Sequence, residues 1–450
     1  MVRDDTLGRI LRARASYKFM FTGLAALALT LLAGVFTALF YIPAFYPFLR
    51  RSGLEMPATH SLHTAFAIAW IFCTATGVMY RMMEDADGGM TRTEKRLANA
   101  HFALWCAAGA GIAVSLPLGL YSGREYMEYS PWFALPILAG WLSLAAVFLV
   151  RARAGFWERP VYMHMWGVAL LLFVYSFAEN NLWPLGFFKG AAVADMQVQW
   201  KSLGTFFGAM NLCVYGCALY ISERIAENTA YAQSRTAFAL FWVGLLSTFT
   251  NYGHHTYHLP QNEAIKWVSF ITSMLEIVIL VKVLSDIVGM IRERLTPATG
   301  AFSETLSFLK ASKIWTAINF IFAIAISVPP VNALIHGTRA VTAHAMGAMI
   351  GIDGFILFAA TSWFVESFAP KTKATGPLPM IALQAGLAGL FTALILGGGI
   401  TGFCRYTGQP LPRGMQDIWT VFALAGAVMA AGISIFLYRW IKQGFLQKTA

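Results

Sequence analysis

The chain has 450 residues, 58% of them apolar and only 12% charged, with a net charge of +11. No water-soluble domain of this length combines so much apolar character with so little charge, so the composition excludes a soluble enzyme and requires a membrane protein. The surplus of Lys and Arg sits on loops such as Arg92-Thr93-Glu94-Lys95-Arg96 and Arg292-Glu293-Arg294. Anchoring against anionic lipid accounts for it there, and no nucleic-acid partner is needed.

Apolar windows recur at 18–42, 57–81, 100–120, 131–150, 160–180, 198–221, 236–257, 265–288, 312–334, 339–365, 376–401 and 417–439. Each is long enough to cross a hydrocarbon core of about 30 Å as a helix. The expected fold is an all-α membrane protein of twelve transmembrane helices, one polytopic domain over residues 1–450 with short tails at about 1–17 and 440–450. The first span follows Arg3, Arg9, Arg12, Arg14 and Lys18, runs too long for a cleavable signal and lacks a small-residue cleavage site. It reads as a retained helix. With loops assigned alternately to two sides, most of the 33 Lys and Arg share the side of both termini, which places both termini in the cytoplasm of a bacterial cell, with the chain multi-pass in the inner membrane. Cys73, Cys106, Cys213, Cys217 and Cys404 are scattered through or beside the spans without paired loop spacing or a CxxCH, so neither a disulfide framework nor a covalently attached haem is expected. Cys213 and Cys217 stand four apart in the sixth span, a spacing that suits small apolar packing or a shared metal.

This topology sets His60, His63, His254, His255, His258, His336 and His344 toward the outer ends of their spans and His101 and His164 toward the cytoplasmic ends. Ionisable side chains inside a membrane are costly and mark function by default. Imidazole is the usual ligand of haem iron and other transition metals. His63 on the second span, the adjacent pair His254-His255 on the seventh and His344 on the tenth share one depth, which suggests a metal centre. His60, His258 and His336 read better as hydrated or hydrogen-bonded interfacial groups than as ligands. On a helix, neighbouring histidines point about 100° apart, and two imidazoles can still converge on one metal through different ring nitrogens. In Thr342-Ala343-His344-Ala345-Met346-Gly347, positions two apart project about 200° apart, so one helix can ligate a haem on each face.

These residues resemble the haem-copper oxidase superfamily and, within it, the large subunit of nitric oxide reductase. Leu62-His63-Thr64 looks like the low-spin haem segment, with His63 as axial ligand. Gly123-Arg124-Glu125-Tyr126-Met127-Glu128 is similar to the periplasmic motif, implying Arg124 near the haem propionates and Glu125 on a calcium ion that bridges to the small subunit. Asn251-Tyr252-Gly253-His254-His255 resembles the segment that gives two ligands to the second metal, Ser273-Met274-Leu275-Glu276 that of the eighth helix, and His336-Gly337-Thr338 through His344 the lead into the tenth-helix ligands. The pattern covers about residues 15–440.

The chain departs from that pattern at the tenth helix, where the family has His-x-His and this sequence has Met346 in second place. Ligation by Met346 implies a His/Met low-spin haem of raised potential. In the sixth helix the positions of a histidine and a glutamate ligand hold Gln199 and Leu203, with Lys201 between them, which weakens a non-haem iron site. The Trp-x-x-x-His-Pro-Glu-x-x-x-Tyr pattern of oxygen reductases is absent. The resemblance therefore implies low-spin and high-spin haem b, a second metal that is non-haem Fe or Cu, and possible Ca²⁺. It implies reduction of a small gas, two NO to N₂O and water, with electrons from a membrane-anchored cytochrome c subunit, no quinol-binding periplasmic extension being visible. His344 is then the high-spin haem ligand, and His254 and His255 hold the second metal, with Gln199 as a further donor. Glu276 is either a proton-handling carboxylate or a satisfied buried group. A divergent NO dismutase-like paralogue, or a non-catalytic haem sensor or electron-transfer subunit, is the alternative.

Overall fold

The computed structural model describes residues 13–122, 125–185, 190–257, 260–295, 302–368 and 375–446. The long helices are α1 (Ala15–Leu39), α2 (Met56–Asp85), α3 (Arg92–Ser115), α4 (Ala134–Ala152), α5 (Val161–Asn180), α6 (Ala192–Ala226), α7 (Arg235–Thr250), α8 (Glu263–Arg294), α9 (Ser303–Ser327), α10 (Arg339–Phe368), α11 (Pro377–Thr407) and α12 (Met415–Trp440). Ten of them are long and apolar enough to cross a membrane, α7 and α8 falling outside that set. Against the twelve spans expected from the sequence, ten helices among the described residues meet those criteria. Among the described residues the extended structure is an isolated bridge between Tyr121 and Tyr129.

Sequence neighbours pack against one another, α1 on α2, α3 on α4, α5 on α6, α7 on α8 and α11 on α12. Where lipid surrounds a bundle, helices gain little from hiding apolar surface, and close backbone approach through small residues takes over. Gly23 of α1 lies against Thr74 of α2, and Gly208 of α6 against Thr248 of α7, each without room for a Cβ. The most enclosed spans are α6, 89% buried, and α10, 83%, against 22% for α3, so α6 and α10 form the centre and α3 the rim.

The structure redraws several boundaries. Helix α7 is only 16 residues long and gives way at Thr250 to a 3₁₀ turn over Asn251–His254. The expected span to 257 thus breaks where its histidines begin. The window 312–334 is really α9 ending at Ser327 and a short helix Pro329–Ile335, because the residue before a proline is driven out of the helical region and Val328 is extended. Helix α10 carries a π-helical stretch over Gly347–Gly354, a form concentrated at functional sites.

Candidate haem and metal centre

Helix α2 presents His63 to α1, where its Nδ1 lies 2.9 Å from the carbonyl oxygen of Thr30. A carbonyl only accepts, so Nδ1 is the protonated nitrogen and Nε2 keeps its lone pair for a metal. Glycine makes the contact possible, because a Cβ at Gly34 would come 2.6 Å from His63 Nδ1. The stacked rings of Trp70 and Phe358, 5.2 Å apart, tie α2 to α10. At 1.5 Å per residue His63 lies about 10 Å from that contact along α2 and Met346 about 18 Å along α10, both toward the N-terminal ends of their helices. Met346 is partly buried against the core there.

His254 ends the 3₁₀ turn and is fixed by α8. Ser269 Oγ donates to the carbonyl of Asn251 (2.8 Å) and accepts from the His254 backbone N–H (2.9 Å). With its own hydrogen spent, Ser269 Oγ receives the Nδ1 proton of His254 at 3.1 Å, leaving Nε2 of this imidazole free as well. Gly253 allows this docking, since a Cβ would stand 2.8 Å from the Ile265 carbonyl oxygen. The ring centroids of His254 and His255 are 4.2 Å apart. The two rings therefore lie side by side, on a turn rather than as helical neighbours 100° apart. Ser273, one turn on in α8, reaches His254 Nδ1 at 3.4 Å, and Glu276, buried at 9% exposure, lies about 5 Å further along the axis and is hydrogen-bonded to Ser247 of α7.

From α6 it is Trp200 that meets the pair, its ring stacked on His255 at 5.3 Å and 2°. Gly204 and Gly208 continue that face, against Asn251, Tyr252 and Thr248. Gln199 lies one residue aside and accepts from Ser202 Oγ through its carbonyl (3.0 Å). Leu203 is buried, and Lys201 pairs with Glu179 at 2.5 Å and Tyr175 at 3.0 Å, away from the histidines.

The start of α10 is clamped by α11. Arg405 donates to the carbonyls of Leu334 (3.1 Å) and His336 (2.8 Å), and Gly398 and Gly402 leave no space for a Cβ against Ala340 and Leu334. His344 stands one turn in, with a buried Nδ1 that has no hydrogen-bond partner. His254 and His255 lie within electrostatic range of it. His63, His254, His255 and His344 are each half-buried.

Between α3 and α4, Ser122 and Glu128 close a loop (Ser122 N–H to Glu128 O, 2.7 Å), and Thr64, the neighbour of His63, donates to the Glu128 carboxylate at 3.1 Å. Glu125 is at the exposed rim of this loop. Partial burial raises the carboxyls of both Glu125 and Glu128 above the ordinary glutamate range. Gly123, Arg124 and His258 lie outside the described residues.

Free Nε2 atoms on His63 and His254 and an orphaned imidazole nitrogen on His344 fit haem. The second metal is less complete. Among the described residues no group of three His, Cys, Asp or Glu side chains is placed to hold a metal ion, and the donors that converge are His254 and His255 alone. Cys213 and Cys217 are free and buried in helix packing. Sequence reading missed Trp200, Ser269, Glu128 and Asp353. Of these Glu128 carried a signal as the last residue of the periplasmic motif, and Asp353 as an ionisable residue in an apolar window.

The profile of the family described as Cytochrome C and Quinol oxidase polypeptide I matches residues 14–432. The chain belongs to this family, the haem-copper oxidase subunit I proteins, membrane oxidoreductases of the electron-transport kind that bind haems and a second metal. It is 26% identical over 258 residues to the Cbb3-type cytochrome c oxidase subunit CcoN1 of Stutzerimonas stutzeri, a match over 53% of this chain that spans about half (51%) of that relative's length. A heme-copper terminal oxidase solved as a dimer by cryo-EM shares the fold, with a TM-score of 0.71 at 14% identity, covering 98% of this chain and 85% of that one.

Proposed function

We propose that the chain is the haem-bearing subunit of a nitric oxide reductase, converting two NO, two electrons and two protons to N₂O and water. Electrons come from a separate cytochrome c subunit on the outer side, and both termini are cytoplasmic. His63 and Met346 hold a low-spin haem b and His344 a high-spin haem b. When bound, the haems supply electron storage and a docking point for gas. The chain's own residues do the rest. Ser269 fixes the orientation and tautomer of His254, Trp200 covers one face of His255 against water, and Glu276 holds a proton beside the pair. The observation that carries the reading is the pairing of two imidazoles 4.2 Å apart, fixed by Ser269 and covered by Trp200, with the buried carboxyl of Glu276 further along α8.

Anaerobic turnover of the purified protein with NO and a reductant tests it. The expected product is N₂O, one per two NO consumed, and His344→Ala should abolish it together with the high-spin haem. Release of O₂ and N₂ would instead mark a dismutase, and turnover of O₂ alone an oxidase like the curated relative. A second reading, a haem-only electron-transfer or sensor subunit, is favoured by the incomplete donor set at His254 and His255. Two haems per chain with no further transition metal would decide for it.

A further inference from the structure

A groove of about 480 Å³, the size of a small-molecule site, lies between the start of α8 and the end of α9. Its wall is aromatic, with Trp267 and Phe270 of α8 flanking the Ser269 that holds His254, and Tyr257 from the turn beyond the histidines. Asn332 lines it from the short helix Pro329–Ile335, at 8% exposure. The Nδ2 of Asn332 donates to the Ile326 carbonyl at 3.1 Å, which fixes the orientation of the amide because a carbonyl only accepts. The other end of the amide, Oδ1, is a buried acceptor without a hydrogen-bond partner, an arrangement that calls for a donor from elsewhere. On the rim Lys266 and Glu263 face each other at 2.5 Å, the glutamate side chain 73% exposed. An ion pair so open to solvent is held weakly and exchanges partners readily. Away from the groove both helices turn apolar residues outward, Ile271 and Leu275 on α8 and Ile321 and Ile324 on α9, where a membrane supplies lipid tails.

We propose that this groove seats one phospholipid whose headgroup carries a primary ammonium. The ammonium donates to Asn332 Oδ1 and faces the Glu263 carboxylate, the phosphate faces Lys266, and the chains lie along the outward apolar residues of α8 and α9. The unmet acceptor sets the class, because a quaternary ammonium has no N–H and leaves Oδ1 unsatisfied. The rim carries one charge of each sign, so a zwitterion opens the Lys266–Glu263 pair and re-pairs both ends, whereas an anionic lipid leaves the carboxylate facing a phosphate. Seating the lipid is independent of any reaction at the histidines.

Delipidated protein in detergent, titrated with phosphatidylethanolamine, phosphatidylcholine or phosphatidylglycerol of the same chains and followed by native mass spectrometry, tests the site. Phosphatidylethanolamine should bind at one site about tenfold more tightly than phosphatidylcholine, the factor that one charge-assisted hydrogen bond carries, and more tightly than phosphatidylglycerol. Asn332→Leu should abolish the preference over phosphatidylcholine. Lys266→Gln should weaken both of those lipids and keep their ratio, and phosphoethanolamine without chains should not displace the bound lipid. Equal affinity of the wild-type protein for phosphatidylethanolamine and phosphatidylcholine, tighter binding of phosphatidylglycerol, displacement by the free headgroup, or a preference that survives Asn332→Leu overturns the proposal. Where the Asn332 variant fails to fold, Lys266→Gln decides, since unchanged lipid binding in it is equally fatal. The measurement requires neither haem nor gas turnover, so a failed reductase assay leaves it standing.

Discussion

Single atoms decide whether the histidines of this bundle can bind a metal. His63 is usable because a carbonyl takes its Nδ1 proton, and that carbonyl is reachable because residue 34 has no Cβ. Gly34→Ala sets two effects against each other. Alanine gains roughly 0.8–1.0 kcal/mol of helix propensity, while forcing a methyl against a fixed ring costs about 1–3 kcal/mol. The clash should win locally, and the variant should insert in the membrane with a reduced content of low-spin haem, read from the reduced-minus-oxidised optical spectrum. Met346 gives the second test at this scale. A thioether ligand favours ferrous haem, so Met346→His should lower the potential of the low-spin haem by about 0.1 V or more on the range that axial ligands span. Met346→Leu should give a five-coordinate high-spin spectrum. An unchanged low-spin spectrum and potential in the Leu variant would leave Met346 as packing.

At the scale of elements, the loop between α3 and α4 links the His63 helix to the outer surface through Thr64 and Glu128. Desolvation holds the carboxyls of Glu125 and Glu128 above their ordinary values. Groups shifted upward stabilise the folded loop below the ordinary glutamate value, and that contribution is lost as pH rises through the raised values. Amide-exchange protection of Ser122 and of residues 125–129 should therefore fall between mildly acidic and neutral pH. A divalent oxygen-seeking cation offsets two ionised carboxylates, so added Ca²⁺ should restore protection at neutral pH and have less effect in acid. Glu125→Ala should remove the Ca²⁺ response and loosen a cytochrome c partner during purification. Unaltered co-purification would reduce Glu125 to an ordinary surface carboxylate.

Across the whole molecule, the end of the bundle away from His63, His254, His255 and His344 is locked by a buried ionic knot. Glu304 at the start of α9, 5% exposed, accepts from Arg439 and Trp440 of α12, from Ser362 of α10 and from Thr375 before α11. Three helices and the segment leading into α11 thus share one carboxylate. Removing one member of a buried pair strands the other charge, at a cost of roughly 3–5 kcal/mol. Glu304→Leu should lower the thermal midpoint of the detergent-solubilised protein clearly, and Glu304→Leu with Arg439→Met should recover much of the loss. The haem spectrum should stay unchanged in both, because the knot is remote from the histidines. A double variant no more stable than the single one would show that the knot does not act through charge pairing.

Hydrophobicity is written residue by residue, so the sequence by itself determined that this is a helical membrane protein, where its long apolar segments run, and which histidines stand in them. The local motifs around His63, His254-His255 and His344 were enough to place the chain in the haem-copper oxidase superfamily, a placement that the match over residues 14–432 bears out. What the tertiary structure alone decided concerns partners distant in the chain. Thr30 lies 33 residues from the ring it orients, and Ser269 lies 15 from the backbone N–H it receives. The break of α7 before its histidines depends on docking against α8 through Gly253, which no periodicity reports. The same holds for α6, where alignment pointed to Gln199 and the fold turns Trp200 to the pair. Asp353 shows the limit most directly, because the burial of a lone acid in an apolar window is set by the helices packed round it, which come close at Gly347 and Gly351, rather than by any pattern within α10.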